Sequence, residues 1–68
     1  MLSLQINGDR VAVPADVATI ADLLQHLQLH DKVLVVEHNE RILDKAAHAE
    51  AALTDGDRIE IVHFVGGG

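Results

Sequence analysis

Apolar and polar positions alternate from the start of the chain. Leu2, Leu4 and Ile6 interleave with Ser3, Gln5 and Asn7, the period of two that marks a half-buried strand. Asn7-Gly8 follows, and both residues tolerate the positive φ angles of a tight hairpin turn. Arg10-Val11-Ala12-Val13 resumes the alternation with Val11 and Val13 inward. Pro14 ends this second strand, because it has no N–H to give to a ladder.

The period then changes. Ile20, Leu23, Leu24 and Leu27 recur at i, i+3, i+4 and i+7, one stripe of a helix. Thr19 is placed as its N-cap, with Asp22 at the capping-box position. The pattern predicts a helix from Thr19 to Leu29, some 15 Å long. Such a helix is too short to stand alone, so its stripe must pack on the hairpin.

Val33-Leu34-Val35-Val36 is an unbroken, mostly β-branched run, which predicts a buried central strand. Because both faces are apolar, the pattern leaves open which residues meet the helix. Glu37-His38-Asn39-Glu40 is expected to turn, and Arg41-Ile42-Leu43 to return as a short strand. Asp44 to Leu53 has helical propensity from its alanines and Glu50 but no apolar stripe, so a helical turn within a loop is expected. Thr54-Asp55-Gly56-Asp57 has tight-turn residue types. The strand from Arg58 to Phe64 then places Ile59 and Ile61 on one face and Glu60, Val62 and Phe64 on the other.

Hairpin, helix, strand, short strand and strand form the ββαββ order of the ubiquitin-like β-grasp fold. The predicted class is α+β, a mixed sheet with one main helix packed on one face. A domain spanning 1–64 and a flexible Gly-rich C-terminal tail at 65–68 are the expected organisation.

Composition narrows what such a domain can do. With 68 residues, the chain supports one small core and buries only about 60% of its unfolded surface. No Cys, Trp or Tyr and a single Phe make that core aliphatic and exclude a disulfide framework or thiolate chemistry. A net charge of −6 argues against nucleic acid, whose phosphates require Lys and Arg, and against anionic membrane surfaces. No segment approaches the roughly 20 apolar residues of a membrane span. Residues 1–6 lack the layout of a signal peptide, so a cytoplasmic protein, monomeric when free, is expected.

The chemistry concentrates in Val65-Gly66-Gly67-Gly68. Side-chain-free residues can thread a channel too narrow for any others, and the four reach roughly 13 Å when extended. An ionised terminal carboxylate reacts only after activation, for instance as an acyl adenylate. The chain has no Gly-rich phosphate loop with a Lys, so a partner must supply the ATP chemistry and no cofactor is expected to be bound. The competing view is an ordinary frayed terminus.

The segment Asp55-Gly56-Asp57-Arg58-Ile59-Glu60-Ile61-Val62-His63-Phe64-Val65-Gly66-Gly67-Gly68 resembles the C-terminus of the ThiS family, the sulfur carriers of bacterial thiamine synthesis. The shared features are the Asp-Gly-Asp turn, the alternating strand, and His-Phe-Val before the glycines. Asn7-Gly8, the helix at 19–29 and Val33–Glu37 fall where that family has its hairpin, helix and third strand. The resemblance spans the chain and is weakest over 44–53.

This resemblance implies a carrier, not an enzyme. Gly68 would be adenylated by an E1-like enzyme of ThiF type and converted to a thiocarboxylate. A cysteine desulfurase or another donor would supply the sulfur, which would pass to a thiazole synthase of ThiG type. Val65, Gly66 and Gly67 would thread the partners' channels. The family usually ends in a Gly-Gly pair, with which a third glycine is compatible. Molybdopterin synthesis, a ubiquitin-like modifier, and a β-grasp interaction module with an inert tail remain as alternatives.

Val62 and Phe64 are expected on the open sheet face beside the tail, joined by Val33 or Val35, as a docking surface. The alternative is packing against the loop at 44–53. Asp22, His26 and His30 fall at i, i+4 and i+8, but a solvated helix face is expected, because structural zinc takes four closed ligands. His63 shares the face of Ile59 and Ile61 and is expected to be half-buried and structural. The remaining carboxylates show no paired spacing for acid–base work.

Overall fold

The computed structural model describes residues 1–63. The boundary expected at 64/65 and the positions Phe64, Val65, Gly66, Gly67 and Gly68 lie outside the described residues.

Strands β1 (Leu2–Ile6) and β2 (Asp9–Val13) form the expected antiparallel hairpin, with Leu4 opposite Val11 and Leu2 opposite Val13. Asn7 and Gly8 have φ of 50° and 87°, positive at both central positions as a two-residue turn matched to strand twist requires. β3 (Leu34–His38) and β4 (Arg41–Leu43) form a second hairpin. Its turn is Asn39-Glu40, at φ of 50° and 71°. The turn is thus shorter than expected from residue type, and Glu37 and His38 extend β3.

β5 (Arg58–His63) lies in the middle of the five-stranded sheet, whose order is β2-β1-β5-β3-β4. It runs parallel to β1 and antiparallel to β3. The turn before it carries Gly56 at φ 89° and closes with Asp57 N–H donating to the Thr54 carbonyl at 3.0 Å. The same turn is tied to β1: Ser3 N–H donates to Asp55 Oδ1 at 2.7 Å, and Gly56 N–H to the Ser3 carbonyl at 2.7 Å.

The helix α1 (Ile20–His26) is shorter than the pattern predicts, ending at His26 rather than Leu29. Gln28 takes a left-handed φ of 62°. Its N–H donates to the Gln25 carbonyl, and Leu29 N–H to the Leu24 carbonyl at 2.7 Å. These two bonds form a Schellman closure with Gln where glycine is usual. Leu27 and Leu29 still pack against the core, so apolar periodicity continues past the point where the backbone leaves the helix.

The start of α1 (Ile20–His26) is fully paired. Thr19 Oγ1 accepts from Asp22 N–H at 3.2 Å, and Asp22 Oδ2 accepts from Thr19 N–H at 3.2 Å. The loop at 44–53 supplies the rest: Ile20 N–H donates to the Ala51 carbonyl and Ala21 N–H to the His48 carbonyl, both at 2.9 Å. This loop contains the expected single helical turn, a 3-10 turn at Lys45–Ala47. It covers the helix N-terminus with carbonyls and adds Ala51 and Leu53 to the core. His48 is buried within it, and its Nε2 has no hydrogen-bond partner among the described residues.

The aliphatic core lies between α1 and one sheet face. Leu4, Val13, Ile20, Leu23, Val36 and Ile59 are essentially inaccessible to solvent. Each such side chain stabilises the fold by about 1.5–3 kcal/mol relative to exposure. Since α1 covers one face only, the other face of the sheet stays open.

Candidate docking face and tail attachment

The inward set of β5 is Ile59 and Ile61, both buried. Strand alternation therefore turns Glu60 and Val62 to the open face, as the sequence pattern predicts. Val62 is 54% exposed and lies directly opposite Val35, which is 37% exposed. The run at 33–36 is thus not buried on both faces. Val36 is fully buried and Leu34 half-buried, while Val33 is 72% exposed. The helix is the only layer on this sheet among the described residues, so half of an all-apolar run must face solvent.

Two further positions join this face through the register. Ile42 is 72% exposed and opposes Glu37, and Glu37 in turn opposes Glu60 across β3 and β5. Ile42 was not singled out from the sequence. The signal that would have found it is the length of the Asn39-Glu40 turn, because turn length sets hairpin register. The loop at 44–53 does not cover the patch: it packs on the helix side, through Ala51 and Leu53. Phe64 belongs to the expected patch but lies outside the described residues, as do Val65 to Gly68.

The described ionisable groups form no catalytic set. His38 Nε2 donates to Asp57 Oδ2 at 2.7 Å, the one ion pair among the described residues. Asp57 also accepts from Asn39 Nδ2 at 3.1 Å and from Thr54 N–H at 2.9 Å. Burial pushes its carboxyl up, but the hydrogen bonds from His38, Asn39 and Thr54 and the charge of His38 outweigh this and hold it below its ordinary value of 3.8. Asn39 Oδ1 then accepts from Arg58 N–H at 2.9 Å. Every member of the cluster is occupied in tying the β3–β4 turn to the start of β5.

The other candidates are placed plainly. Asp22 uses its carboxylate in the capping box, and the left-handed Gln28 breaks the helical spacing between His26 and His30. No group of three or more His, Asp or Glu among the described residues is arranged to hold a metal. His63, expected to be half-buried, is exposed at the end of β5. Its face is the expected one, opposite the half-buried Leu34 of β3. No helix among the described residues is long and apolar enough to cross a membrane.

The open sheet face and the lack of a catalytic set among the described residues leave the identity to comparison with known proteins. The ThiS family model fits residues 3–68. The chain belongs to the ThiS family. It is 51% identical over 65 residues to the sulfur carrier protein ThiS of Bacillus subtilis strain 168, covering 96% of this chain and 98% of that one. A crystal structure of the thiamine biosynthesis protein ThiS from Geobacter metallireducens superposes with a TM-score of 0.81 at 29% identity, covering 98% of this chain and all of that one. The fold is therefore the ubiquitin-like β-grasp, and the protein is a sulfur carrier of thiamine biosynthesis, a small carrier rather than a catalyst. The chain is also 39% identical over 67 residues to a thiazole synthase of Paramagnetospirillum magneticum, of which it spans only 20%.

Proposed function

We propose that Gly68 is the sulfur-bearing residue and that the protein is a co-substrate of its partners. The observation that carries this is the family match running through Gly68 on a chain with no Cys. Without a thiol, transferable sulfur must be held elsewhere, and an activated terminal carboxylate is the group suited to it. An E1-like enzyme of ThiF type binds the ATP. The Gly68 carboxylate attacks the α-phosphorus, pyrophosphate leaves, and an acyl adenylate results. A persulfide from a cysteine desulfurase then displaces AMP to give an acyl disulfide, whose S–S bond a thiol reductant cleaves to release the thiocarboxylate; another donor, of sulfide itself, would displace AMP and give the thiocarboxylate directly.

Val65, Gly66 and Gly67 occupy the partners' channels, where glycines admit a close approach of surrounding walls. Val62 and Phe64, with Val35, dock the body of the carrier. A thiazole synthase of ThiG type takes the sulfur. That reading is supported by the Paramagnetospirillum thiazole synthase, which carries a segment like this chain within one polypeptide. The carrier works as a cytoplasmic monomer.

The test is an intact mass after incubation with ATP, the E1-like enzyme and a sulfur source. Exchange of one oxygen for sulfur has the same nominal mass as oxidation of Met1, so the product is also trapped with a thiol-directed alkylator. An alkylated C-terminal peptide is expected. No adduct, with an enzyme shown to be active, overturns the proposal.

A further inference from the structure

Asn7 and Gly8 make the first hairpin turn, and both are exposed. Asn is among the heat-labile residues. A following glycine makes it more so, because without a Cβ the glycine leaves its backbone nitrogen open to the asparagine side chain. The chain has two asparagines, and the other, Asn39, precedes Glu40, whose side chain crowds the same approach.

Three hydrogen bonds hold Asn7 to β5. Its N–H donates to the Ile59 carbonyl at 2.9 Å. Its Oδ1 accepts from Ile61 N–H at 2.7 Å, and its Nδ2 donates to the Ile61 carbonyl at 3.2 Å. The side chain therefore reaches across to a neighbouring strand with both amide atoms occupied. Attack by the Gly8 nitrogen instead closes a five-membered ring that lays the side chain over its own peptide. One side chain cannot do both. The turn resists as well, because its paired positive φ angles, 50° and 87°, are those that fit the hairpin, and ring closure rotates the Asn7 peptide.

We infer that Asn7-Gly8 is a gated site of covalent modification, which forms a succinimide only when the Asn7 side chain leaves Ile61 and whose products no longer remake the pairing. The Gly8 nitrogen bonds to Asn7 Cγ, the Cγ–Nδ2 bond breaks, and Nδ2 departs with the Gly8 proton as ammonia. Water then opens the ring. Addition at Cγ restores the main chain and leaves an aspartate at position 7. Addition at the backbone carbonyl leaves an isoaspartyl link, with the chain running through the former side chain. No oxidant or reductant takes part.

Each product damages the contact in its own way. The aspartate sets an oxygen where Nδ2 stood, so an acceptor meets the Ile61 carbonyl without a proton between them. The isoaspartyl link adds a methylene to a turn whose length sets the pairing of Ile6 with Asp9. Both add a negative charge to a chain already at −6. The site thus records how often the first turn has come away from β5. The gate belongs to the fold and stands whether or not Gly68 carries sulfur.

The experiment holds the full-length protein in mildly alkaline buffer, folded and again in urea above its unfolding midpoint. Peptide mapping by mass spectrometry follows deamidation at Asn7 and Asn39. Isomerisation at Asp55-Gly56 is told apart because it leaves the mass unchanged. In urea, Asn7 is expected to react ahead of Asn39. In the folded protein its rate is expected to be at least about tenfold lower, because a local opening must come first. The deamidated fraction, separated by its added charge, is expected to melt at least about 4 °C below wild type. Asn7→Asp, made directly, supplies the aspartate product alone and is expected to melt lower too.

Equal rates at Asn7 with and without urea overturn the gate. Asn39 reacting first in urea overturns the choice of site. A wild-type midpoint in both the deamidated fraction and Asn7→Asp overturns the effect on β5.

Discussion

The side chain of Asn7 pairs with both backbone groups of Ile61. Its Oδ1 accepts from Ile61 N–H at 2.7 Å, and its Nδ2 donates to the Ile61 carbonyl at 3.2 Å. β1 ends at Ile6, and the chain turns away at Asn7 and Gly8. The amide of Asn7 therefore acts as one more rung of the parallel ladder between β1 and β5. The first hairpin turn thereby holds β5 near its C-terminal end.

Asn7→Ala removes both hydrogen bonds and places a Cβ-bearing residue without local polar compensation at positive φ. Two bonds of about 0.5–1.5 kcal/mol each and about 1 kcal/mol of left-handed strain predict a loss of about 2–4 kcal/mol. Urea unfolding measures it. A loss below about 0.5 kcal/mol would mean that water replaces the rung without cost.

The Asp57 cluster predicts a pH dependence. The folded carboxyl titrates below 3.8, so its contribution is fully present above the unfolded value and is lost as pH falls through the folded one. Asp57→Asn should cost about 1–3 kcal/mol near neutrality. As pH falls from about 5 to below the unfolded value of 3.8, wild type should lose stability faster than the variant, and the two curves should approach each other. Parallel curves would show that Asp57 does not carry the acid sensitivity.

Gln28 offers the opposite test. It is exposed and holds φ of 62°, a conformation glycine adopts without the Cβ penalty. Gln28→Gly should stabilise the protein by about 0.5–1 kcal/mol, since the Schellman bonds are made by backbone groups only. A fall in the unfolding midpoint would indicate that the Gln side chain contributes more than its strain costs.

Val62→Ser separates docking from folding. Val62 is more than half exposed, so the unfolding free energy should change by less than about 1 kcal/mol. Binding to the adenylating enzyme and to the synthase should weaken. Unchanged affinity for both would remove the open face from the mechanism.

Adding one residue after Gly68 tests the tail in the same way. The extension replaces the carboxylate proposed to react by a peptide bond while leaving the core untouched. Sulfur transfer should be abolished with an unchanged thermal midpoint. An extended protein that still supports thiazole formation would remove Gly68 from its assigned role.

Much of this architecture was legible along the chain. Period-two runs located β1, β2 and β5, and the types of Asn7, Gly8 and Gly56 located two turns with positive φ. Thr19 and Asp22 marked the helix start, because capping is chemistry within four residues. The helix end was misplaced, because Leu27 and Leu29 keep the apolar stripe while Gln28 gives no residue-type signal for a left-handed closure. His63 and the run at 33–36 were placed too deep, because apolar spacing does not say how far a covering layer extends.

The sequence by itself determined which side chains share a face, where the turns fall, and that glycines stand at 66–68 in a chain without a cysteine. These are local properties, set by backbone geometry over a few residues. Only the tertiary structure decided that β5 lies between β1 and β3, which sets Val62 against Val35 and Glu60 against Glu37 and brings His38 to Asp57. Periodicity assigns a residue to a side of a strand. Neighbours across a sheet follow from strand order and register, which are set when the whole core is buried at once.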